Sequence, residues 1–230
     1  MCELFIIKTP KTLQFINICM YTIVEDQAPY YIRYQHPGQE QIVKICREYL
    51  AGMDPVHRFT HHRVDPVTAQ RIVQLVPISQ HLPIMMERVS LFITPPGWYY
   101  RAHKDGADHR CSINYAVEIL DDACTTHWYT DADVLPHYPL TGLAEQNQSR
   151  EAQGFDPKRH TPVCSMTAKP HDIILFNTDV FHDFDNTQST NQRVVLTLRF
   201  RRPGRHYFDD IKKRMFGPDT LEKQREAPTF

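Results

Sequence analysis

Several features that mark specialised proteins are scarce in this chain of 230 residues. The formal net charge is only −1, so no field of one sign directs the molecule towards nucleic acid or an anionic membrane. Glycine is rare, with 8 residues against 17 prolines, which indicates stiff loops rather than flexible linkers. The six cysteines are scattered without a Cys-x-x-Cys pair, which favours reduced thiols and a cytoplasmic location over a disulfide framework.

Long apolar runs are also lacking. In the segment 13–24, polar Gln14, Asn17 and Thr22 interrupt the apolar residues, whereas a membrane-spanning helix needs about 20 apolar residues in succession. No small-residue cleavage site follows the segment, so we interpret it as a strand rather than an export signal. With 41% hydrophobic and 23% charged residues, the chain is typical of a globular protein with one large core.

What the chain does contain is an ordered set of metal-binding residue types. His103 and Asp105 flank a single lysine, and His182 follows much later. Two imidazoles and one carboxylate can occupy one face of the octahedral shell of Fe(II) and leave three positions for a co-substrate and dioxygen. Arg193 lies in the strand-like run 193–200, where its guanidinium could hold a carboxylate in a bidentate pair. The alternative is an ordinary turn, two surface histidines and an exposed arginine.

Helical signals fill much of the first third. Residues 37–52 carry apolar side chains at helical spacing, and Asp65-Pro66 predicts an N-cap followed by proline at the first position of a helix that extends to about Gln80. The segment between these helices is rich in histidine: His57, His61 and His62. A solvated loop is favoured there over a second metal site, because no carboxylate or cysteine lies at ligand spacing.

Short alternating segments divided by Pro, Gly and Asp follow from Met85. The predicted strands are residues 87–94, 98–103, 110–119, 125–130, 163–168, 172–177 and 192–201. Residues 131–162 are too long and polar for a simple connector and are interpreted as a loop or lid near a site. Residues 206–216 predict a closing helix.

Helices followed by about seven short strands predict a mainly β fold with flanking helices, a double-stranded β-helix of the jelly-roll or cupin type. Such a fold brings residues from distant strands to one open end. We expect one domain in three parts: an N-terminal strand and helical support (1–84), the β-helix catalytic core (85–205) and a C-terminal helix and tail (206–230).

Residues 87–201 resemble the Fe(II)/2-oxoglutarate-dependent dioxygenase superfamily, and within it the prolyl and aspartyl/asparaginyl hydroxylases. The run Pro96-Gly97-Trp-Tyr-Tyr100-Arg-Ala-His103-Lys-Asp105 is similar to the P-G-x-x-Y-x-x-H-x-D run of prolyl hydroxylases. The strand through Asn114 and the block from His182 to Arg193 resemble the segments that follow in those enzymes. Two features depart from the pattern. Val195 stands where many relatives carry serine, and Ala123-Cys-Thr-Thr126 replaces a Gly-Gly-Glu-Thr turn.

The resemblance implies a role for each matching position. His103, Asp105 and His182 would bind Fe(II), and Arg193 would bind the C5 carboxylate of 2-oxoglutarate. Three further residues would contact the co-substrate, or else serve as ordinary core and strand residues: Tyr100, Asn114 and Thr126.

Neighbouring residues suggest supporting roles. Trp98 and Trp128 could form pocket walls, although aromatic residues in a β-rich domain usually belong to the core. Hydrogen bonds near His182 could fix its tautomer. The candidates for those bonds are Asp183, Asp185 and Asn186, which a turn after the strand would explain equally well. The strand face of Arg193 also bears Val195, Thr197 and Arg199, opposite the apolar face of Val194, Leu196, Leu198 and Phe200. Sequence leaves open whether that polar face looks into the barrel or into solvent.

The implied activity is hydroxylation of a C–H bond in an amino-acid side chain, free or within a polypeptide. Dioxygen and 2-oxoglutarate would be consumed, succinate and CO2 released, and ascorbate is a candidate reductant. Asp105 favours hydroxylation or demethylation, because halogenating relatives carry a small residue in its place. Two alternatives stay open: the same cofactor chemistry on a nucleobase or other small molecule, and a non-catalytic jelly-roll binding module. Nucleic acid is disfavoured, because residues 131–162 carry both charge signs.

Overall fold

The computed structural model describes residues 21–54, 57–80, 82, 84–105, 110–130, 161–200 and 207–217, and the backbone of residues 5–9 and 12–16. The helices are α1 (Gln39–Leu50), α2 (Pro66–Gln74) and α3 (Phe208–Phe216). The strands are β1 (Phe5–Thr9), β2 (Thr12–Ile16), β3 (Thr22–Gln27), β4 (Tyr31–Gln35), β5 (Thr60–Arg63), β6 (Ser90–Thr94), β7 (Trp98–His103), β8 (Cys111–Glu118), β9 (Thr125–Tyr129), β10 (Cys164–Thr167), β11 (Ile173–Asn177), β12 (Phe181–Asn186) and β13 (Arg193–Arg199).

Two antiparallel sheets form the body of the protein. The large sheet has the strand order β3-β4-β11-β8-β13-β6-β5, and the small sheet has the order β10-β9-β12-β7. The two sheets meet through an apolar cluster in which Trp128 and Met166 of the small sheet contact Tyr31 and Phe176 of the large one. Two packed antiparallel sheets linked by crossovers form a jelly roll, which confirms the predicted fold class.

The main hydrophobic core lies on the outer face of the large sheet, beneath the helices. Ile42 of α1, Ile72 of α2 and Ile211 of α3 pack there against strand residues such as Ile113 and Leu196. Side chains alternate between the faces of a strand, so the opposite face of the large sheet looks towards the small sheet. That inner face carries the polar residues of β8 and β13.

This arrangement decides the orientation of Arg193. The apolar face of β13, which bears Val194, Leu196 and Leu198, packs against the helices on the outer side of the large sheet. Arg193 and Arg199 consequently point between the sheets, where both line a cavity.

The helical predictions agree with the structure at their starts. The carboxylate of Asp65 accepts hydrogen bonds from the Val67 and Thr68 amides at 2.9 and 3.1 Å, and Pro66 is the first helical residue. Helix α2 nevertheless ends at Gln74, followed by a 3-10 turn over Pro77–Gln80, so the predicted end near Gln80 was wrong. Proline disfavours helical geometry in the residue before it, which explains the earlier stop.

Three other predictions of local structure were wrong. The histidine-rich segment is not simply a solvated loop, because Thr60–Arg63 forms edge strand β5 and pairs with β6. The segment 13–24 contains parts of two strands, β2 and β3, rather than one. Strand β12 was not predicted, because its two aspartates resemble turn residues.

Other predictions fall outside the described residues or are untested. The lid interpretation of residues 131–162 concerns a segment of which only 161 and 162 are described. The division into 1–84, 85–205 and 206–230 stays a prediction, with β3, β4 and β5 joining the same sheet as strands of the central part. No helix within the described parts of the chain is long and apolar enough to cross a membrane.

Candidate active site

Strands β7 and β12 bring the two histidines together. His103 and His182 are direct partners in the antiparallel register, and their ring centroids are 4.5 Å apart. Asp105 follows the end of β7, where its amide donates to the Thr178 carbonyl at 3.1 Å, and its Oδ1 lies 3.7 Å from His103 Nε2. One potential ligand atom from each of the three residues lies within 4.8 Å of the other two. The structure thus assembles the predicted set at a spacing that suits a single ion.

The orientation of the His182 ring is fixed by the backbone. Its Nδ1 lies 2.8 Å from the Val180 carbonyl oxygen. A carbonyl can only accept, so Nδ1 carries the hydrogen and Nε2 keeps its lone pair free for a metal. Burial lowers the pKa of His182 to about 3, with a further lowering by His103, which keeps the ring neutral.

The residues after His182 do not set its tautomer, so the first of the two interpretations given for them was wrong. Alternation along β12 turns Asp183 to the face opposite His182. There its buried carboxylate accepts hydrogen bonds from Tyr99 Oη at 2.9 Å, Tyr129 Oη at 2.7 Å, and the amide and Nδ1 of His127 at 3.2 and 2.8 Å. This network braces the back of the small sheet behind the metal-binding residues.

The other two candidates for that role stabilise neighbouring turns. Asp185 accepts from the amide and hydroxyl of Thr187, and Asn186 donates to the carbonyls of Pro95 and Asn191. These bonds hold the loop that leads from β12 into β13.

Arg199 lies beside the predicted metal-binding residues, although the sequence analysis gave it no role beyond sharing the strand face of Arg193. Its Nη2 lies 3.0 Å from Asp105 Oδ2, whereas the other oxygen, Oδ1, faces His103. A charge-assisted pair of this kind holds the carboxylate so that one oxygen remains directed at a metal position. Arg199 shares its strand parity with Arg193, and that spacing was the available signal.

The three residues open onto a cavity of about 370 Å³ between the sheets. Its volume lies in the range of small-molecule sites. Phe176 and Phe184 line the apolar part, and Asn114, Thr197 and Ser112 contribute polar groups. The cavity can therefore hold a small molecule next to the metal-binding residues.

Arg193 lies in this cavity as a buried cation without a carboxylate partner. It is 6% exposed, and its guanidinium sits over the Phe184 ring at 4.6 Å. Its Nε has no hydrogen-bond partner, and no acidic side chain among the described residues pairs with it. A buried charge without a carboxylate partner is costly, so this geometry suits an anionic ligand beside Arg193.

Of the three further residues predicted to contact the co-substrate, two line the cavity and one does not. Tyr100 lines the cavity and packs edge-on against His103 at 4.7 Å, and Asn114 lines it while accepting from Ser112 Oγ at 3.2 Å. Thr126 is buried opposite Phe184 in the β9–β12 register, outside the lining residues, and its hydroxyl has no partner. For all three residues, contact with a co-substrate stays a prediction.

Neither tryptophan lines the cavity, so the wall interpretation was wrong. The favoured alternative for such aromatic residues was a core position. Trp128 is fully buried and stacks on Tyr31 at 5.1 Å, so it belongs to the core between the sheets. Trp98 is half-buried and is not among the residues that line the cavity. Alternation places each of them in packing positions that their bulk fills.

Comparison with known proteins found no matching family model and no matching curated protein. Solved structures do match. HygX from Streptomyces hygroscopicus, with nickel and 2-oxoglutarate bound, is 10% identical over 84% of this chain and 86% of its own, with a TM-score of 0.48. An oxidoreductase of the 2OG-Fe(II) oxygenase family from Burkholderia pseudomallei is 12% identical over 70% of this chain and 77% of its own, with a TM-score of 0.47.

A third similar structure is SnoN, a non-heme α-ketoglutarate-dependent epimerase from nogalamycin biosynthesis. It is 12% identical over 74% of this chain and 77% of its own, with a TM-score of 0.44. At such low identity and TM-score these similarities carry no inference about chemistry. The functional conclusion for this chain rests on its own residues.

Proposed function

We propose that this protein is an Fe(II)- and 2-oxoglutarate-dependent dioxygenase. The observation that supports the proposal most strongly is that two features lie in the same cavity. One is the cluster of His103, Asp105 and His182, and the other is the buried guanidinium of Arg193, which has no carboxylate partner among the described residues. A metal-binding set alone fits many functions, but a metal-binding set beside a cation that lacks its anion fits a chelating co-substrate with a second carboxylate.

The donor set matches Fe(II) chemically. Two imidazoles and one carboxylate, with open space in front of them, are typical of non-heme iron sites that react with dioxygen. 2-Oxoglutarate would place its keto acid end at the metal and its C5 carboxylate at Arg193, where a planar guanidinium forms a bidentate pair. Together they would supply oxidation of a substrate C–H bond, coupled to conversion of 2-oxoglutarate to succinate and CO2.

The chain's own residues position and protect this chemistry. The Val180 carbonyl presents His182 Nε2 to the metal, and Arg199 holds one oxygen of Asp105 away from it. Phe176 and Phe184 line the inner cavity with apolar surface, which lowers the local dielectric and strengthens electrostatic contacts made there.

The finer assignment remains hydroxylation of an amino-acid side chain, free or in a polypeptide, and follows the resemblance of residues 87–201 to such hydroxylases. The same cofactor chemistry on a nucleobase or another small molecule is the second candidate. A cytoplasmic location is part of the proposal, and Cys46, Cys111, Cys124 and Cys164, which are free thiols, support a reducing compartment.

The direct test is turnover of the co-substrate. Protein incubated with Fe(II), 2-oxoglutarate, ascorbate and 18O2 is expected to form succinate that carries one labelled oxygen atom, measured by mass spectrometry. A chelator added beforehand should abolish it. Stoichiometric binding of both Fe(II) and 2-oxoglutarate without succinate would instead identify a binding module that uses the same site.

Arg199 provides a second test, because it contacts the ligand Asp105 rather than the metal. Replacement by glutamine is expected to weaken Fe(II) binding roughly 10–100-fold, the usual cost of losing a residue that orients a ligand. Anaerobic calorimetry with Fe(II) measures this. Arg71→Gln, on the exposed surface of α2, is the matched control. Equal affinity in the Arg199 variant and the control would show that the ion pair does not orient Asp105.

A further inference from the structure

Three guanidinium groups converge at one end of the large sheet, on the cavity side. In the register of the strands, Ser90 pairs with both Arg63 of β5 and Thr197 of β13. Arg88 lies two residues before Ser90, and Arg199 two residues after Thr197. The cavity lining confirms the convergence, since Arg63, Arg88 and Arg199 all contribute to it.

The pKa of the neighbouring His61 is affected by the same three arginines. Partial desolvation lowers the pKa of His61, although its side chain remains exposed, and the charges of Arg199, Arg63 and Arg88 lower it further. A histidine on this edge strand therefore experiences all three cations.

Among the described residues that line the cavity, arginines outnumber carboxylates. Asp105 is the single carboxylate in that described set, which includes four arginines: Arg63, Arg88, Arg193 and Arg199. Asp105 pairs with Arg199, and no described acidic residue pairs with Arg63 or Arg88. An Fe(II) ion and a 2-oxoglutarate dianion would cancel each other, so the wall stays cationic with both bound.

Flat aromatic surfaces adjoin the arginines. His61 stacks on Phe92 at 4.6 Å with an interplanar angle of 7°, and Phe59 stacks on Tyr100 at 4.6 Å with an angle of 27°. His61 and Arg63 are exposed, whereas Arg193 and His182 are buried. The cationic and aromatic surfaces thus lie at the mouth of the cavity, and the proposed co-substrate position lies at its base.

We infer that the mouth of the cavity is a substrate subsite for a flat, anionic molecule. Its carboxylate or phosphate group bonds Arg63 and Arg88, and its apolar part lies along Phe59 and Phe92. This inference rests on the proposed function for the reaction that follows, because the bound molecule presents a C–H bond towards His103, Asp105 and His182. Binding of the anion itself requires neither metal nor 2-oxoglutarate.

The test uses calorimetry on the metal-free, full-length protein with three probes: phenyl phosphate, phenylacetate and neutral benzyl alcohol. Either anion is expected to bind, with benzyl alcohol at least about tenfold weaker, since a hydrogen bond to a charged group contributes roughly 1.5–3 kcal/mol. The stronger of the two anions identifies a phosphate-bearing or a carboxylate-bearing substrate class.

Variants locate the bound probe. The double variant Arg63→Gln/Arg88→Gln should weaken the preferred anion at least about tenfold, whereas the surface control Arg71→Gln should bind it like wild type. Arg193→Gln reports whether the probe instead occupies the co-substrate position. Loss of binding in Arg193→Gln with retention in the double variant would overturn the inference, because the anion would then occupy the co-substrate position. Equal binding of benzyl alcohol, or no binding of either anion, would also overturn it.

The two experiments distinguish failure of the subsite from failure of the proposed dioxygenase function. Labelled succinate without anion binding at the mouth would leave the dioxygenase intact and remove only the subsite. Anion binding that depends on Arg63 and Arg88, with no succinate formed, would keep the subsite and remove the oxygenase.

Discussion

His182→Ala is expected to abolish binding of Fe(II) at stoichiometric concentrations. The imidazole is 2% exposed, is held by Val180 in the tautomer that leaves Nε2 free, and belongs to the three residues proposed to hold the metal. Loss of a ligand should cost more than the 10–100-fold typical of a residue that merely orients one. Anaerobic calorimetry and measurement of bound iron after desalting give the affinity and stoichiometry.

Alanine at this buried position also leaves a cavity, so the loss of metal has to be separated from loss of fold. His182→Gln keeps most of the side-chain volume and serves as the second variant, and His57→Ala, at an exposed histidine, is the matched control. Circular dichroism checks folding in each variant. Wild-type iron affinity in a folded His182→Gln or His182→Ala protein would remove His182 from the metal site.

Arg193→Leu is expected to show an opposite pair of effects, with weaker co-substrate binding and a more stable free protein. The bidentate pair with the C5 carboxylate is lost, so affinity for 2-oxoglutarate should fall at least about 100-fold, as expected for truncation of a buried hydrogen-bonded charge pair. Fe(II) affinity should stay near the wild-type value. In the free protein the same substitution removes a buried cation without a carboxylate partner, so the free energy of unfolding should rise by roughly 1–3 kcal/mol.

Two measurements on the same variant check this prediction. Calorimetry with 2-oxoglutarate on the Fe(II) protein under argon gives the affinity, and thermal unfolding of the metal-free protein gives the stability. Arg193→Lys keeps the charge without the fork, so its affinity should lie between those of wild type and Arg193→Leu. A leucine variant that is less stable and still binds 2-oxoglutarate normally would show that Arg193 is a structural residue.

Much of the fold was visible in the sequence where local and tertiary preferences agree. Alternation in β8 and β13 and the Asp65-Pro66 start of α2 predicted those elements, because their side chains obey the periods of strand and helix. Strand β12 was hidden because Asp183 is a buried carboxylate. Only the tertiary structure shows that Tyr99, Tyr129 and His127 surround it with donors.

The candidate site divides in a similar way. The sequence predicted which residues converge, because residue types and their order along the chain can be recognised without coordinates. These residues are His103, Asp105, His182 and Arg193. The direction of Arg193 could not be predicted, because it depends on the helices that cover the apolar face of β13. The Arg199–Asp105 pair joins residues 94 positions apart, and no local pattern marks such a contact.

The most direct test of the metal and co-substrate assignment is an anaerobic titration of the Fe(II) protein with 2-oxoglutarate, followed by visible absorption. A keto acid chelated to iron gives a charge-transfer band. We expect that band in the wild-type protein, no band in His182→Ala, and a band that requires far more 2-oxoglutarate in Arg193→Leu. Absence of the band in the wild-type protein, with iron remaining in solution, would contradict the dioxygenase assignment and leave a jelly-roll binding module.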